Sequence, residues 1–396
     1  MNITIITSVM PWKLLSGGAQ AQFNMIDTLR KVHHITLIFH EDFQNKISAM
    51  KELQQMWPEV KLVVFPLWRQ LLYPRFVIDK AERAFKLLVM PNSKRFKVQR
   101  ALMHYGVYPS RDFMRFVNRI IQEEHTDVIQ VEFYPCLYLG RHLPSNIRKI
   151  FIHHELRFVK NERIIPSYHP TEKEIKWMKE LKQEELDDLD RYDTIVTLTQ
   201  QDKDTLLHEG IKKPIHVSPA AVNTPSTPYR PWNHKLSFVG SYLHHPNIEG
   251  IDWYMNQVMP LMKDIPLLEI VGKGWADKYQ TDHTMTKGYV ENLSEVLEGS
   301  IMIVPILSGS GMRMKILEAA AMSLPVITTS IGVEGLLFRH EVSCIVADTP
   351  QDFANAIARL SHDAKLSQTL GEQANKVFQE HYSKEALAAI RNEIYT

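Results

Sequence analysis

Residues 304–329 read VPILSGSGMRMKILEAAAMSLPVITT, and this stretch decides the fold. An apolar run ends at Pro305, a Ser/Gly loop covers 308–311, a helical pattern starts near Met312, and an apolar β-branched run closes the unit at 325–328. Strand, glycine loop, helix and strand in that order form the repeating unit of a parallel sheet covered by helices. Glycines let backbone approach a ligand closely, and a helix start presents unpaired N–H groups with partial positive charge. Arg313 and Lys315 add two formal charges in that first turn, where the dipole disfavours them, so an anion is expected, and a diphosphate fits. Glu318, three residues beyond Lys315, shares its face on a helix that is apolar almost all round. A buried carboxylate needs partners: ribose hydroxyls on the ligand reading, Lys315 itself on the bland one.

Outward from this unit, further short apolar runs at 236–239, 267–271, 301–304 and 344–346 alternate with helical stretches. The N-terminal half repeats the texture, with strands expected at 2–7, 34–39, 61–65, 128–131, 149–153 and 194–198. A Pro/Gly-interrupted loop follows the first of these, and Ala21, Phe23, Ile26 and Leu29 mark the helix after it. Between the halves, residues 218–232 (SPAAVNTPSTPYRPW) hold four prolines in fifteen residues without any period, which reads as a linker. A chain of 396 residues also exceeds what one core usually organises. The expectation is an α/β protein of two doubly wound, Rossmann-like domains, each binding ligands beyond the carboxyl ends of its strands.

Composition narrows the function. Hydrophobic residues at 44% and charged residues at 23% are ordinary for a globular protein, and a net charge of +1 argues against a nucleic-acid binder. The charge is uneven: residues 69–119 hold twelve Lys and Arg against Asp79, Glu82 and Asp112. Basic residues there interleave with Leu, Tyr, Phe and Met, which suits either an anionic membrane surface or a basic wall steering an anionic substrate. Cys136 and Cys344 are isolated and frame neither disulfide nor zinc site. With no basic leader and no apolar window of about 18 residues, the expected location is cytoplasmic, peripheral at the inner membrane face if the basic window binds lipid.

Other candidate residues stand at expected strand ends. Gly17 and Gly18 follow the first strand; His153 and His154 end the strand in IFIHHELRF, with Glu155 next to them. Either histidine can face the ligand side, but adjacent strand residues point to opposite faces, so one metal held by both is not expected. Gly240 and Ser241 in GSYLHHPN follow the strand that opens the second half, and Asn292 reads as a helix cap. The charged run 173–192 reads as an exposed amphipathic helix.

The run GSGMRMKILEAAAMSLPVITT resembles the donor-site signature of the retaining GT-B glycosyltransferases of family 4, also called glycosyl transferases group 1. Supporting stretches LSFVGSYLHHPNIEGIDWYMNQVMP, LLEIVGKG and KGYVENLSEVL come in that family's order, and the resemblance spans the whole C-terminal half closely and the N-terminal half loosely. It implies a GT-B fold: two facing Rossmann-like domains with a cleft between them. Residues 1–222 would form the acceptor-side domain, 223–378 the donor-binding domain, and 379–396 a helix crossing back to the first. It implies a metal-independent, retaining hexosyltransferase with no cofactor, taking a nucleotide-sugar donor and a glycan or lipid-linked acceptor in cell-surface polysaccharide assembly. A GT-B nucleotide-sugar epimerase and a non-catalytic nucleotide-sugar-binding subunit are the alternatives.

By position, Arg313 and Lys315 resemble the diphosphate-binding cations, Glu318 the ribose-binding glutamate, and Tyr289 with Val290 the base-contacting backbone. One of His154 and His153 would contact the donor sugar, His154 with Glu155 matching the family's His–acid pair. Gly17 and Gly18 match its loop near phosphate or acceptor. The family's first paired glutamate falls on Ser310, a departure for which the backbone amides of Gly309, Ser310, Gly311 and Met312 are the expected substitute.

Overall fold

A computed structural model of the chain describes residues 1–14, 17–40, 47–74, 77–78, 81, 102, 110–222, 224–290, 292–309 and 311–395. They form two compact units, Met1–Pro219 with Ala388–Thr396, and Ala220–Leu387.

The first unit is a seven-stranded sheet ordered β3-β2-β1-β4-β5-β6-β7. Its strands are β1 (Asn2–Thr7), β2 (His34–His40), β3 (Lys61–Phe65), β4 (Val128–Glu132), β5 (Arg148–His153), β6 (Thr194–Thr197) and β7 (Ile215–Val217). The second is six-stranded, ordered β10-β9-β8-β11-β12-β13, from β8 (Lys235–Val239), β9 (Leu267–Val271), β10 (Thr284–Gly288), β11 (Ile301–Val304), β12 (Val326–Thr328) and β13 (Ile345–Val346). All named pairings are parallel. Central strands such as β4 and β11 are buried along their whole length, because helices cover both faces of such a sheet; β11 (IMIV) reads as an unbroken apolar run, and β4 (VIQVE) is apolar except for Gln130 and Glu132.

The α/β, doubly wound, Rossmann-like fold class holds. Two strands went unread. The short β7 and the polar β10 (TMTKG) lie at sheet edges and are only partly buried, so they show no continuous apolar run. The helix expected from Met312 begins at Met314. Gly309 and Gly311 turn the chain at φ +102° and +80°, and Arg313 takes the N-cap position.

Sheet order reverses between β1 and β4 in one unit and between β8 and β11 in the other. Such switch points open a crevice beyond the strand ends, and most of the candidate residues follow β1, β5, β8 and β11, at or beside these points.

The charged run forms helix Glu172–Leu189, entered through a capping box of Thr171 and Glu174. It is not simply an exposed helix, since Glu185 and Asp188 are buried. The last helix, Lys384–Tyr395, starts in the sequence of the second unit and ends in the first. Its terminal residues Ile394 and Tyr395 belong to a buried cluster with Ile3, Ile5, Leu37 and Ile150. Arg148 donates to the Tyr395 and Ile394 carbonyls at 3.1 and 2.8 Å, satisfying acceptors that a helix end leaves open.

Candidate functional site

In the second unit the chain leaves β11 through Pro305 and turns back into helix Met314–Ala321. Arg313 sits at the N-cap without a side-chain cap bond and is almost fully buried. Its Nη1 donates to the Gly311 carbonyl at 2.6 Å, folding the guanidinium over the glycine loop. Lys315 Nζ donates to Asn247 Oδ1 at 2.8 Å and lies 3.9 Å from the centre of the Phe238 ring. Asn247 Nδ2 donates to the Ser241 carbonyl at 2.9 Å. A side chain at Gly240 would meet that same amide at 2.6 Å, so only glycine leaves room for it after β8. Gly240, Ser241 and Lys315 are thus gathered around Asn247, and Glu318 is buried one turn further along the helix.

The electrostatics suit an anion. Burial pushes the Lys315 ammonium down to about 7, the neighbouring Arg313 charge pushes the same way, and Glu318 opposes both. Two cations at a helix N-terminus are mutually repulsive and desolvated, and an anion placed there relieves the strain of both. Ser308 donates to Glu249, which ties the loop to helix His245–Trp253. Tyr289 is exposed beneath the Lys273 ammonium, 4.7 Å from its ring centre, and Val290 packs on the core of the unit. Asn292 caps the helix Leu293–Leu297 by accepting from Ser294 N at 3.1 Å. Met312 is half-buried, and Ser310 lies outside the described residues.

In the first unit the two histidines separate, as strand alternation requires. His153 is fully buried with Nε2 3.0 Å from Glu185 Oε1. Glu185 also accepts from the Arg157 and Phe158 amides at 2.9 and 3.0 Å, so His153 belongs to the support of helix Arg157–Ile164. His154 instead lies 3.0 Å from Glu132 Oε2 at the end of β4 and stacks on Phe133 with ring centres 3.9 Å apart. Its acid partner is therefore Glu132 and not the adjacent Glu155, which pairs with Lys160. Gly17 and Gly18 open helix Gly17–Leu29, and a side chain at Gly18 would come within 2.9 Å of Phe133.

Two residues escaped the sequence. Glu132 had a signal: Gln130 and Glu132 are polar residues on one face of an otherwise apolar strand, VIQVE. Asn247 had none beyond its nearness to Gly240.

Of the basic window, residues 75–76, 79–80, 82–101 and 103–109 lie outside the described residues. Arg69 is paired with Asp112 and lies 5.0 Å from the Phe65 ring centre, so it serves the fold of its own unit. Among the described residues no group of three metal-ligating side chains occurs, and no helix is long and apolar enough to cross a membrane. Both cysteines are free and buried.

Residues 233–363, about a third of the chain, match the family described as Glycosyl transferases group 1. A curated relative, an uncharacterized 44.6 kDa protein in the cps region of Klebsiella pneumoniae, is 28% identical over 178 residues. That match covers 41% of this chain and 46% of the relative, so the chain matches less than half of that relative's length. Among solved structures, sucrose-phosphate synthase from Thermosynechococcus elongatus gives a TM-score of 0.70 at 15% identity, covering 100% of this chain and 98% of that one. HepE of Anabaena, solved in complex with UDP and glucose, gives 0.66 at 12% identity with the same coverage. At these identities the likeness is one of fold, and that fold is GT-B.

Proposed function

We propose that the chain is a retaining glycosyltransferase that moves a hexose-type sugar from a nucleoside-diphosphate donor to a glycan or lipid-linked acceptor in cell-surface polysaccharide assembly. The observation that carries this reading is the pair of cations, Arg313 buried and Lys315 half-buried, at the uncapped start of helix Met314–Ala321 behind a glycine loop. That arrangement recognises a diphosphate, and the buried Glu318 beyond it suits ribose hydroxyls. The group 1 match over 233–363 covers this same region, and the relative in a cps region supports the polysaccharide setting.

In the reaction the bond between the sugar's anomeric carbon and the β-phosphate oxygen breaks, the acceptor oxygen bonds to the same face, and the acceptor hydroxyl's proton passes to the departing phosphate oxygen. Negative charge grows on the departing diphosphate, where Arg313, Lys315 and the helix amides stabilise it. Fixed cations do the work a metal would otherwise do, so turnover persists in EDTA. Tyr289 and Val290 hold the base, Gly240, Ser241 and the amides of Gly309 to Met312 hold phosphate and sugar, and Gly17 and Gly18 serve phosphate or acceptor. In the N-terminal unit His154 is the histidine that acts on a sugar hydroxyl, and His153 supports the fold. Work at the cytoplasmic face of a membrane, through the basic window 69–119, completes the proposal.

A thermal-shift screen against UDP, GDP, ADP and their common sugar conjugates tests it. Binding to the native state raises stability with ligand excess over Kd. One nucleotide is expected to shift the transition of the wild-type protein, and Arg313→Ala and Glu318→Ala to lose that shift while staying folded. A folded protein that responds to no nucleotide sinks the proposal.

A further inference from the structure

Glu132 ends β4 fully buried, with both carboxylate oxygens engaged. Oε1 accepts from Gln130 Nε2 at 2.6 Å, and Oε2 lies 3.0 Å from His154 Nε2. Gln130 Oε1 in turn accepts from the Tyr395 hydroxyl. The four side chains form one line, from the last turn of the C-terminal helix, across β4, to the residue that follows β5. Buried polar groups are costly unless they are satisfied, and a satisfied network is rigid. Here the line terminates on its most exposed member, His154, at 10% of its side chain.

An ionised carboxylate can only accept, so the ring nitrogen facing Glu132 carries the proton. In a neutral imidazole this leaves Nδ1 as the acceptor, and Nδ1 is buried in this structure without a hydrogen-bond partner among the described residues, as an acceptor kept for a ligand would be. Rotation of the ring is blocked as well, since it lies flat against Phe133 with 9° between the planes. Phe133 is itself held in the left-handed region, at φ +68°, and Gly18 packs against its edge.

We infer that Glu132 is a positioning residue for this enzyme: it fixes the orientation and tautomer of His154 so that Nδ1 accepts a hydrogen bond from a substrate hydroxyl, and Tyr395 completes the support through Gln130. The inference rests on the glycosyltransferase reading, in which His154 meets a sugar hydroxyl.

A double-mutant cycle on turnover separates this role from a merely structural one. The readout is release of nucleoside diphosphate from UDP-, GDP- and ADP-glucose and from UDP-N-acetylglucosamine. Glu132→Met keeps the volume and removes the acceptor. It is expected to lower kcat/KM about 10- to 100-fold, the scale seen when the outer partner of a ligand histidine is removed. Binding of the free nucleoside diphosphate, a property of the other unit, is expected to stay within about twofold, an unchanged Kd being the sign that Glu132 acts elsewhere. In a His154→Ala background the Glu132→Met change is expected to add less than about twofold, because its effect passes through the histidine. Tyr395→Phe is expected to follow the same pattern with a smaller loss. Equal losses in both backgrounds overturn the inference, as does full activity in Glu132→Met. Should Glu132→Met not fold, Glu132→Gln and Tyr395→Phe carry the same cycle. A wild-type protein that releases no nucleoside diphosphate from any of the four overturns the glycosyltransferase reading instead, and the role of Glu132 falls with it.

Discussion

Lys315→Met is expected to abolish nucleotide binding and, at the same time, to make the ligand-free protein more stable. If Lys315 meets the donor diphosphate as proposed, losing its charge costs about 3 kcal/mol or more, or upwards of 100-fold in affinity. The gain in stability comes from the same burial. In the unfolded chain a lysine titrates near 10.4, whereas burial brings Lys315 to about 7 in the folded protein. Between those values the unfolded state binds more protons, so wild-type stability rises with pH across that window. Below about 7 both states are protonated and the penalty for burying the charge is present in full.

Methionine escapes that penalty but leaves Asn247 Oδ1 without its donor, which costs about 1–3 kcal/mol. The expected net gain is about 2 kcal/mol at pH 6.5, falling to nothing and then reversing towards pH 10. Urea denaturation of both proteins from pH 6 to 10 measures it. A difference that does not change with pH would show that Lys315 does not titrate as its burial requires. The same logic gives wild-type nucleotide affinity a downward slope above pH 7, since an anion must then be met by a lysine that has to regain its proton.

Removing residues 388–396 is expected to unfold the N-terminal unit, although the cut lies more than 160 residues beyond its other boundary at Pro219. Ile394 and Tyr395 are both 2% exposed in the core of that unit, and deleting a large buried side chain costs about 2–5 kcal/mol. Arg148 loses two carbonyl acceptors, and Arg391 no longer holds Ser218 Oγ and the Pro219 carbonyl, to which it donates at 3.2 and 2.8 Å. Together these losses approach the 5–15 kcal/mol that stabilise a typical domain. Calorimetry is expected to lose one transition and keep another, that of 220–387, still shifted by nucleotide. Two intact transitions in the truncated protein would refute the assignment of the last helix to the core of the first unit.

What was legible in the sequence was local. Strands β1, β4, β8 and β11 could be read because burial makes them short, mostly apolar and β-branched or aromatic stretches, whereas the three-residue β7 and the polar β10 (TMTKG) show no such stretch. The candidate anion site stood out because its glycines, cations and carboxylate fall within eleven residues of one another, from Ser308 to Glu318. Pairings across the fold could not. Lys315 and Asn247 are 68 positions apart, His154 and Glu132 are 22, and Tyr395 and Gln130 are 265. The adjacent Glu155, which completes the family-like His–acid pair in the sequence, pairs with Lys160, and β4, the strand beside β5, supplies the acid that meets His154.

The path of the chain also sets an order of events during synthesis. Residues 220–387 are continuous, so that unit has its whole sequence as soon as they leave the ribosome. The N-terminal unit, although made first, waits for Ile394 and Tyr395 to close its core. Domains usually finish in the order in which they are translated. Here the earlier one finishes last, and a message cut between the codons for residues 387 and 394 yields a chain whose 220–387 unit is complete while the unit carrying His154 stays open to proteases.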